Sequence, residues 1–189
     1  MLFNPDSSQF EDTLLGILKN SPALSQSLFG DSAQTSQNVT QLMEPVLSAH
    51  QRCQTAEYFI QAVSLNRDVF LVTNLSADSH LYATPPASSW LIGRGSTCAI
   101  TVAEPSVSRR HAVIGHHFQD GFFMMDLGSR NGTRADKVAL AAGNRQHLKD
   151  GTLIQIGDLM VEFFAAQHQG DAVTGDLGES EGRTEANSA

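Results

Sequence analysis

The stretch LIGRGSTCAITVAEPSVSRRHAVIGHHFQDGFFMMDLGSRNGT, residues Leu91–Thr133, decides how the rest of the chain is read. It carries three short polar pieces separated by apolar runs: Gly93-Arg94, then Ser108-Arg109-Arg110-His111, then Ser129-Arg130-Asn131-Gly132-Thr133. The apolar runs between them are short and β-rich, and Asp120-Gly121 is a hairpin-turn signal between His111–Gln119 and Phe122–Leu127. The three polar pieces therefore read as loops held by strands. Arginines in such loops suit an anion, because a guanidinium presents forked donors that match carboxylate or phosphate oxygens two at a time.

The same pattern continues outward. Val69–Leu75, His80–Thr84, Trp90–Gly93, Ala99–Val102, Lys137–Leu140, His147–Leu148, Thr152–Ile156 and Leu159–Phe164 read as further strands, with Gly157-Asp158 as a second hairpin turn. Pro85-Pro86 marks a connecting loop, since paired prolines cannot sit in a central strand. Many short strands with turns every few residues predict a mainly β chain, an antiparallel β-sandwich over 67–164.

Residues 1–66 read differently. Phe10, Leu14, Ile17 and Leu18 fall at helical spacing, and Pro22 suits the first turn of a second short helix. Val39, Leu42, Met43, Val46, Leu47, Cys53, Ala56, Ile60 and Val63 form one apolar stripe at helical period, with Pro45 predicting a kink or restart near Gln41–Glu44. Two uses of the stripe stand open: packing on a hairpin partner or on the sheet, and a homo-oligomer or partner-docking surface through residues 39–63. Residues 165–189 are poor in large apolar side chains and rich in Gly, Glu and Ser, and read as a disordered acidic tail.

Charge narrows the function. The net charge is −8, with residues 1–66 holding two basic and six acidic side chains and residues 165–189 one basic and five acidic. Residues 67–164 hold nine of each, and Arg94, Arg109, Arg110, Arg130 and Arg134 concentrate in the marked loops. An acidic total lacks the basic footprint of nonspecific nucleic-acid binding, so no nucleic-acid partner is expected. No apolar run reaches the length of a membrane span, and the N-terminus lacks the features of a signal peptide, so no membrane partner is expected. Cys53 and Cys98 have no CxxC pairing, which predicts free thiols in a reducing, cytoplasmic setting. His116 and His117 are adjacent in a predicted strand and point to opposite faces, so they cannot chelate one metal together; no metal and no cofactor are expected. Ser108-x-x-His111 has the look of hydrolytic chemistry, but no glycine-flanked nucleophile elbow surrounds the serine, and the chain is not expected to be an enzyme.

Taken in order, Gly93-Arg94, Ser108-x-x-His111 and Asn131-Gly132 resemble the forkhead-associated (FHA) domain family, a phosphothreonine-peptide binding module. The resemblance covers about residues 67–164 and implies a phosphopeptide-binding site made of Arg94, Ser108, Arg109, Arg130 and Asn131. In that family Arg94 would be the principal phosphate ligand and Ser108 would donate its hydroxyl. Arg109 and Arg130 would line the same site, and Asn131 would hold the peptide backbone through its amide. Gly93 and Gly132 would allow tight loop edges, His111 would brace the loop from behind, and Asp126 would anchor a loop. The implied function is protein–protein interaction in signal transduction: an adaptor downstream of a Ser/Thr protein kinase, with phosphothreonine proteins as partners. The alternative is an assembly protein that oligomerises through its helices and makes phosphate-independent contacts. One departure stands out. Members commonly follow NGT with an Asn-Gly turn, whereas here Ala135-Asp136 occupies that place, which leaves the shape of the 134–137 turn open.

Overall fold

A computed structural model describes residues 15–16, 18, 22–29, 35–65, 68–75 and 81–165. Among the described residues, after helical positions at Leu15, Gly16 and Leu18, come the helices α1 (Pro22–Phe29) and α2 (Thr35–Arg52) and then twelve strands. One sheet has seven strands in the order β3 (Tyr82–Ala83), β2 (Asp68–Thr73), β1 (Tyr58–Leu65), β12 (Leu159–Ala165), β11 (Thr152–Ile156), β8 (Thr133–Ala135) and β9 (Val138–Ala139). The other has five: β10 (Arg145–His147), β7 (Gly121–Asp126), β6 (Ala112–His117), β4 (Ser89–Gly93) and β5 (Ile100–Thr101). Pairing is antiparallel except for β1 with β12 and β4 with β5.

Between the sheets lies the main core. Trp90, Ile92, Ile114 and Met124 face Ile60, Leu71, Ile154 and Phe163, all buried. The far face of the seven-stranded sheet is covered as well: Leu42, Met43 and Val46 of α2 pack with Val63, Phe70 and Val72 of β1 and β2. Full burial of those three helix side chains contributes about 5–9 kcal/mol before the cost of ordering the helix.

The helical stripe is corrected at its end. The helix stops at Arg52, and Ile60 and Val63 belong to β1, which sits in the middle of a sheet between β2 and β12. The sandwich thus begins at Tyr58, ahead of the boundary expected at residue 67. Strand β1 is buried on both faces, so its apolar residues run nearly unbroken and two of them happen to lie three apart, which imitates a helix. Strand β8 is likewise absent from the sequence reading. Pro22 does open a short helix, whereas α2 runs unbroken through Pro45. The hairpin reading of Asp120-Gly121 and Gly157-Asp158 holds, with Gly121 at φ 73° and Gly157 at φ 62°.

Helix α2 is latched to the sandwich at its C-terminal end. The backbone N–H groups of Gln54, Thr55 and Ala56 all donate to Glu162 Oε1, at 2.9, 2.6 and 2.9 Å. Arg52 pairs with Asp150, and its guanidinium lies 4.3 Å from the centre of the Phe164 ring. Both cysteines are free thiols. No helix among the described residues is long and apolar enough to cross a membrane. The tail at 166–189 and Phe10, Leu14 and Ile17 lie outside the described residues.

Candidate functional site

Three loops meet at one end of the sandwich: 94–99 after β4, 102–111 before β6, and 127–132 between β7 and β8. Backbone bonds tie the first two together. Arg94 N–H donates to Ser108 O and Gly95 N–H donates to Arg109 O, both at 3.0 Å. This approach requires glycine at Gly93, where an added Cβ would stand 2.5 Å from the Arg109 carbonyl oxygen. Gly95 is under the same constraint at 2.8 Å, a requirement the sequence reading did not assign.

His111 joins the second loop to the third. It is fully buried; its Nδ1 accepts the backbone N–H of Ser108 at 2.9 Å, and its Nε2 lies 3.1 Å from the Gly132 carbonyl. An Nδ1 acceptor leaves the proton on Nε2, which then donates to Gly132. Gly132 itself sits at φ 77°, a left-handed conformation that glycine adopts without steric cost. Because the imidazole takes the backbone N–H of Ser108 rather than its hydroxyl proton, the two side chains are not arranged as nucleophile and base.

Asp126 organises the third loop. Its carboxylate accepts from Gly128 N–H, Ser129 N–H, the Ser129 hydroxyl and the Thr133 hydroxyl, at 2.8, 2.9, 2.6 and 2.7 Å. Burial pushes its pKa up, but these hydrogen bonds outweigh burial and hold it below the usual carboxylate value.

On this scaffold Arg94, Ser108, Arg109, Arg110 and Arg130 line one open cleft of about 500 Å³. Arg94 Nε donates to Val107 O at 3.3 Å, which orients the side chain and leaves both Nη groups for a ligand. Ser108 Oγ accepts the backbone N–H of Arg130 at 3.0 Å, so its own hydrogen is available to donate. Arg109, Arg110 and Arg130 are exposed. Asn131 stands just outside, its Nδ2 donating to Ser106 O at 2.8 Å and its Oδ1 free of that bond. It borders a neighbouring groove of about 400 Å³ shared with Arg134, Leu140 and Gln155. Arg134, grouped with the loop arginines by sequence, lies on β8 with Nη1 3.4 Å from Gln155 Oε1 and does not line the arginine cleft. Arg110 does line it, although the family resemblance assigned it no role; the Arg109-Arg110 tandem was the available signal.

The 134–137 turn also resolves. Asp136 and Lys137 have φ 48° and 71°, a two-residue hairpin with both central residues left-handed although neither is glycine. Asp136 is held there by Leu153, its N–H donating to Leu153 O at 2.8 Å and its Oδ1 accepting Leu153 N–H at 2.9 Å.

A family model described as FHA domain matches residues 90–157. Pre-rRNA-processing protein FHL1 of Saccharomyces cerevisiae is 34% identical over 64 residues, which is 34% of this chain and 7% of that protein. Among solved structures, one from a study of phosphothreonine-dependent FHA domain interactions is 28% identical with a TM-score of 0.38, covering 45% of this chain and 83% of that one. The FHA-2 domain from a Mycobacterium tuberculosis ABC transporter is 28% identical with a TM-score of 0.36, covering 41% of this chain and 68% of that one.

Proposed function

We propose that this chain, whose residues 90–157 belong to the FHA (forkhead-associated) domain family, binds proteins through a phosphorylated threonine and serves as an adaptor downstream of a Ser/Thr protein kinase. Arg94 is the main phosphate ligand through its Nη groups, with Ser108 donating its hydroxyl and Arg109 and Arg130 adding donors. Asn131 holds the peptide backbone with its amide, and Gly93, Gly132 and His111 support the loops. One observation carries this reading. A hydroxyl donor at Ser108 and an oriented guanidinium at Arg94 open into one cleft whose lining contains no acidic side chain. A dianionic phosphate suits that cleft, because it carries about −1.5 to −2 charges and three strong acceptor oxygens.

The test is calorimetric titration of the full chain with a threonine peptide and with its phosphothreonine form. Binding of the phosphorylated form alone supports the reading, and equal binding of the two overturns it. The rival reading of helical self-assembly is weakened by the burial of Leu42, Val46, Ile60 and Val63 within the chain.

A further inference from the structure

Four guanidiniums line the cleft, those of Arg94, Arg109, Arg110 and Arg130. Among the described residues none of the four has a carboxylate within salt-bridge distance; the ion pairs are Arg52 with Asp150 and His117 with Asp120, both elsewhere. Several acidic side chains of the sandwich hold backbone groups instead. Asp126 holds the third loop, Asp136 caps Leu153, Glu162 receives three backbone N–H groups, and Glu104 Oε1 accepts Ser106 N–H at 3.3 Å. A phosphate dianion balances two guanidiniums by charge. Two positive charges are therefore left over in a cleft whose lining residues include no carboxylate.

The other arginines stand on the loops that frame the Arg94–Ser108 centre. Arg130 is joined through its backbone to Ser108 and precedes Asn131. Arg110 follows Arg109, whose carbonyl accepts Gly95 N–H at 3.0 Å and the Cys98 thiol at 3.1 Å. An extended peptide laid across the centre thus brings a neighbouring residue near one of these two arginines, since side chains along an extended chain recur within about 3.3–3.6 Å per residue.

We infer that the ligand carries a second anionic side chain, acidic or phosphorylated, close to the phosphothreonine, and that Arg110 helps to receive it. The inference rests on the phosphothreonine reading and narrows it to a class of peptide. It also gives the arginine tandem a purpose, because one phosphate carries too little charge to balance four guanidiniums.

Calorimetry on the full chain tests it with a short series of peptides. One has a single phosphothreonine and neutral flanks, a second adds Asp residues beside the phosphothreonine, and a third adds a second phosphothreonine there. A fourth carries the same Asp residues at the far end. The second and third should bind roughly tenfold more tightly than the first, as one added charge-assisted hydrogen bond provides, and the fourth should show no such gain. Higher gain in the second or the third identifies an acidic or a phosphorylated partner residue. In Arg110→Gln the ratio between flanked and neutral peptides should fall toward one. Equal affinity for the first three peptides overturns this inference and leaves the phosphothreonine reading standing. So does an undiminished ratio in Arg110→Gln. Failure of every phosphopeptide to bind overturns the phosphothreonine reading itself.

Discussion

The hydroxyl oxygen of Ser108 accepts the backbone N–H of Arg130 at 3.0 Å, so two loops 22 residues apart in sequence share one hydrogen bond at the mouth of the cleft. The bond consumes an acceptor site of the hydroxyl and leaves its proton pointing elsewhere. Loop order and the proposed ligand donation are thereby joined in a single side chain, whereas Arg94 is tethered by Nε and leaves its Nη groups outside that bond.

Removing Arg94 and removing Ser108 should therefore differ. Arg94→Ala takes away a charged fork from an exposed position and is expected to weaken phosphopeptide binding by about 2–5 kcal/mol, with the melting curve unchanged. Ser108→Ala loses one hydrogen bond to a charged group, about 1.5–3 kcal/mol, and also releases Arg130 N–H, so a lower melting temperature should accompany it. Calorimetry paired with thermal melts reads both. An Arg94→Ala protein that binds as well as the parent removes Arg94 from the site.

The turn at Asp136-Lys137 holds two left-handed residues where glycine would sit without strain. A left-handed non-glycine residue costs about 1–2 kcal/mol, and glycine returns roughly 0.5–1 kcal/mol of that as unfolded-state freedom. Lys137→Gly should stabilise the chain by about 0.5–1 kcal/mol in denaturant unfolding, without disturbing the Asp136–Leu153 pair. Lower stability in that variant would mean that the Lys137 side chain contributes more than its backbone conformation costs.

Asp126 gives the domain an acid-sensitive loop. Its folded pKa lies below the unfolded value of about 3.9. Its contribution is accordingly present above that unfolded value and is lost as pH falls through the folded one. Asp126→Asn should cost at least about 1.5–3 kcal/mol near neutrality, the worth of one charge-assisted hydrogen bond. The gap between parent and variant should narrow as pH drops below about 4. Chemical denaturation at neutral and acid pH measures it, and a gap independent of pH would assign the loss to shape rather than charge.

How much of this was legible in the sequence depended on how local each signal was. Gly93, Ser108, His111 and Gly132 belong to the ordered family pattern, so their positions were readable although their contacts cross between loops, and Asp126 and its hydroxyl partners lie within seven residues. Gly95 was missed because it lies outside that pattern, and the Arg109 carbonyl that constrains it is fourteen residues away. Strand β1 was missed for a different reason: alternation marks a strand with one wet face, and β1 is covered by α2 on one side and by the opposite sheet on the other. The Asp136-Lys137 turn was left open because its left-handed geometry is imposed by pairing with Leu153 rather than advertised by Asn-Gly.

The covered face of β1 and β2 yields the last prediction, which concerns where the folding unit begins. A chain cut to start at Asp68 retains every loop of the cleft but loses β1, and with it the partner of both β2 and β12. It also loses α2, exposing Phe70 and Val72. Two central strands would then carry open edges beside bare apolar surface, a combination that favours aggregation over a closed sandwich. Residues 15–165 should therefore unfold cooperatively, while residues 68–165 should be insoluble or melt without a transition. Differential scanning calorimetry and sedimentation of the two proteins decide the matter. A sharp transition for residues 68–165 at the temperature of the longer protein would show that the sandwich stands without β1 and that the helices are an appendage.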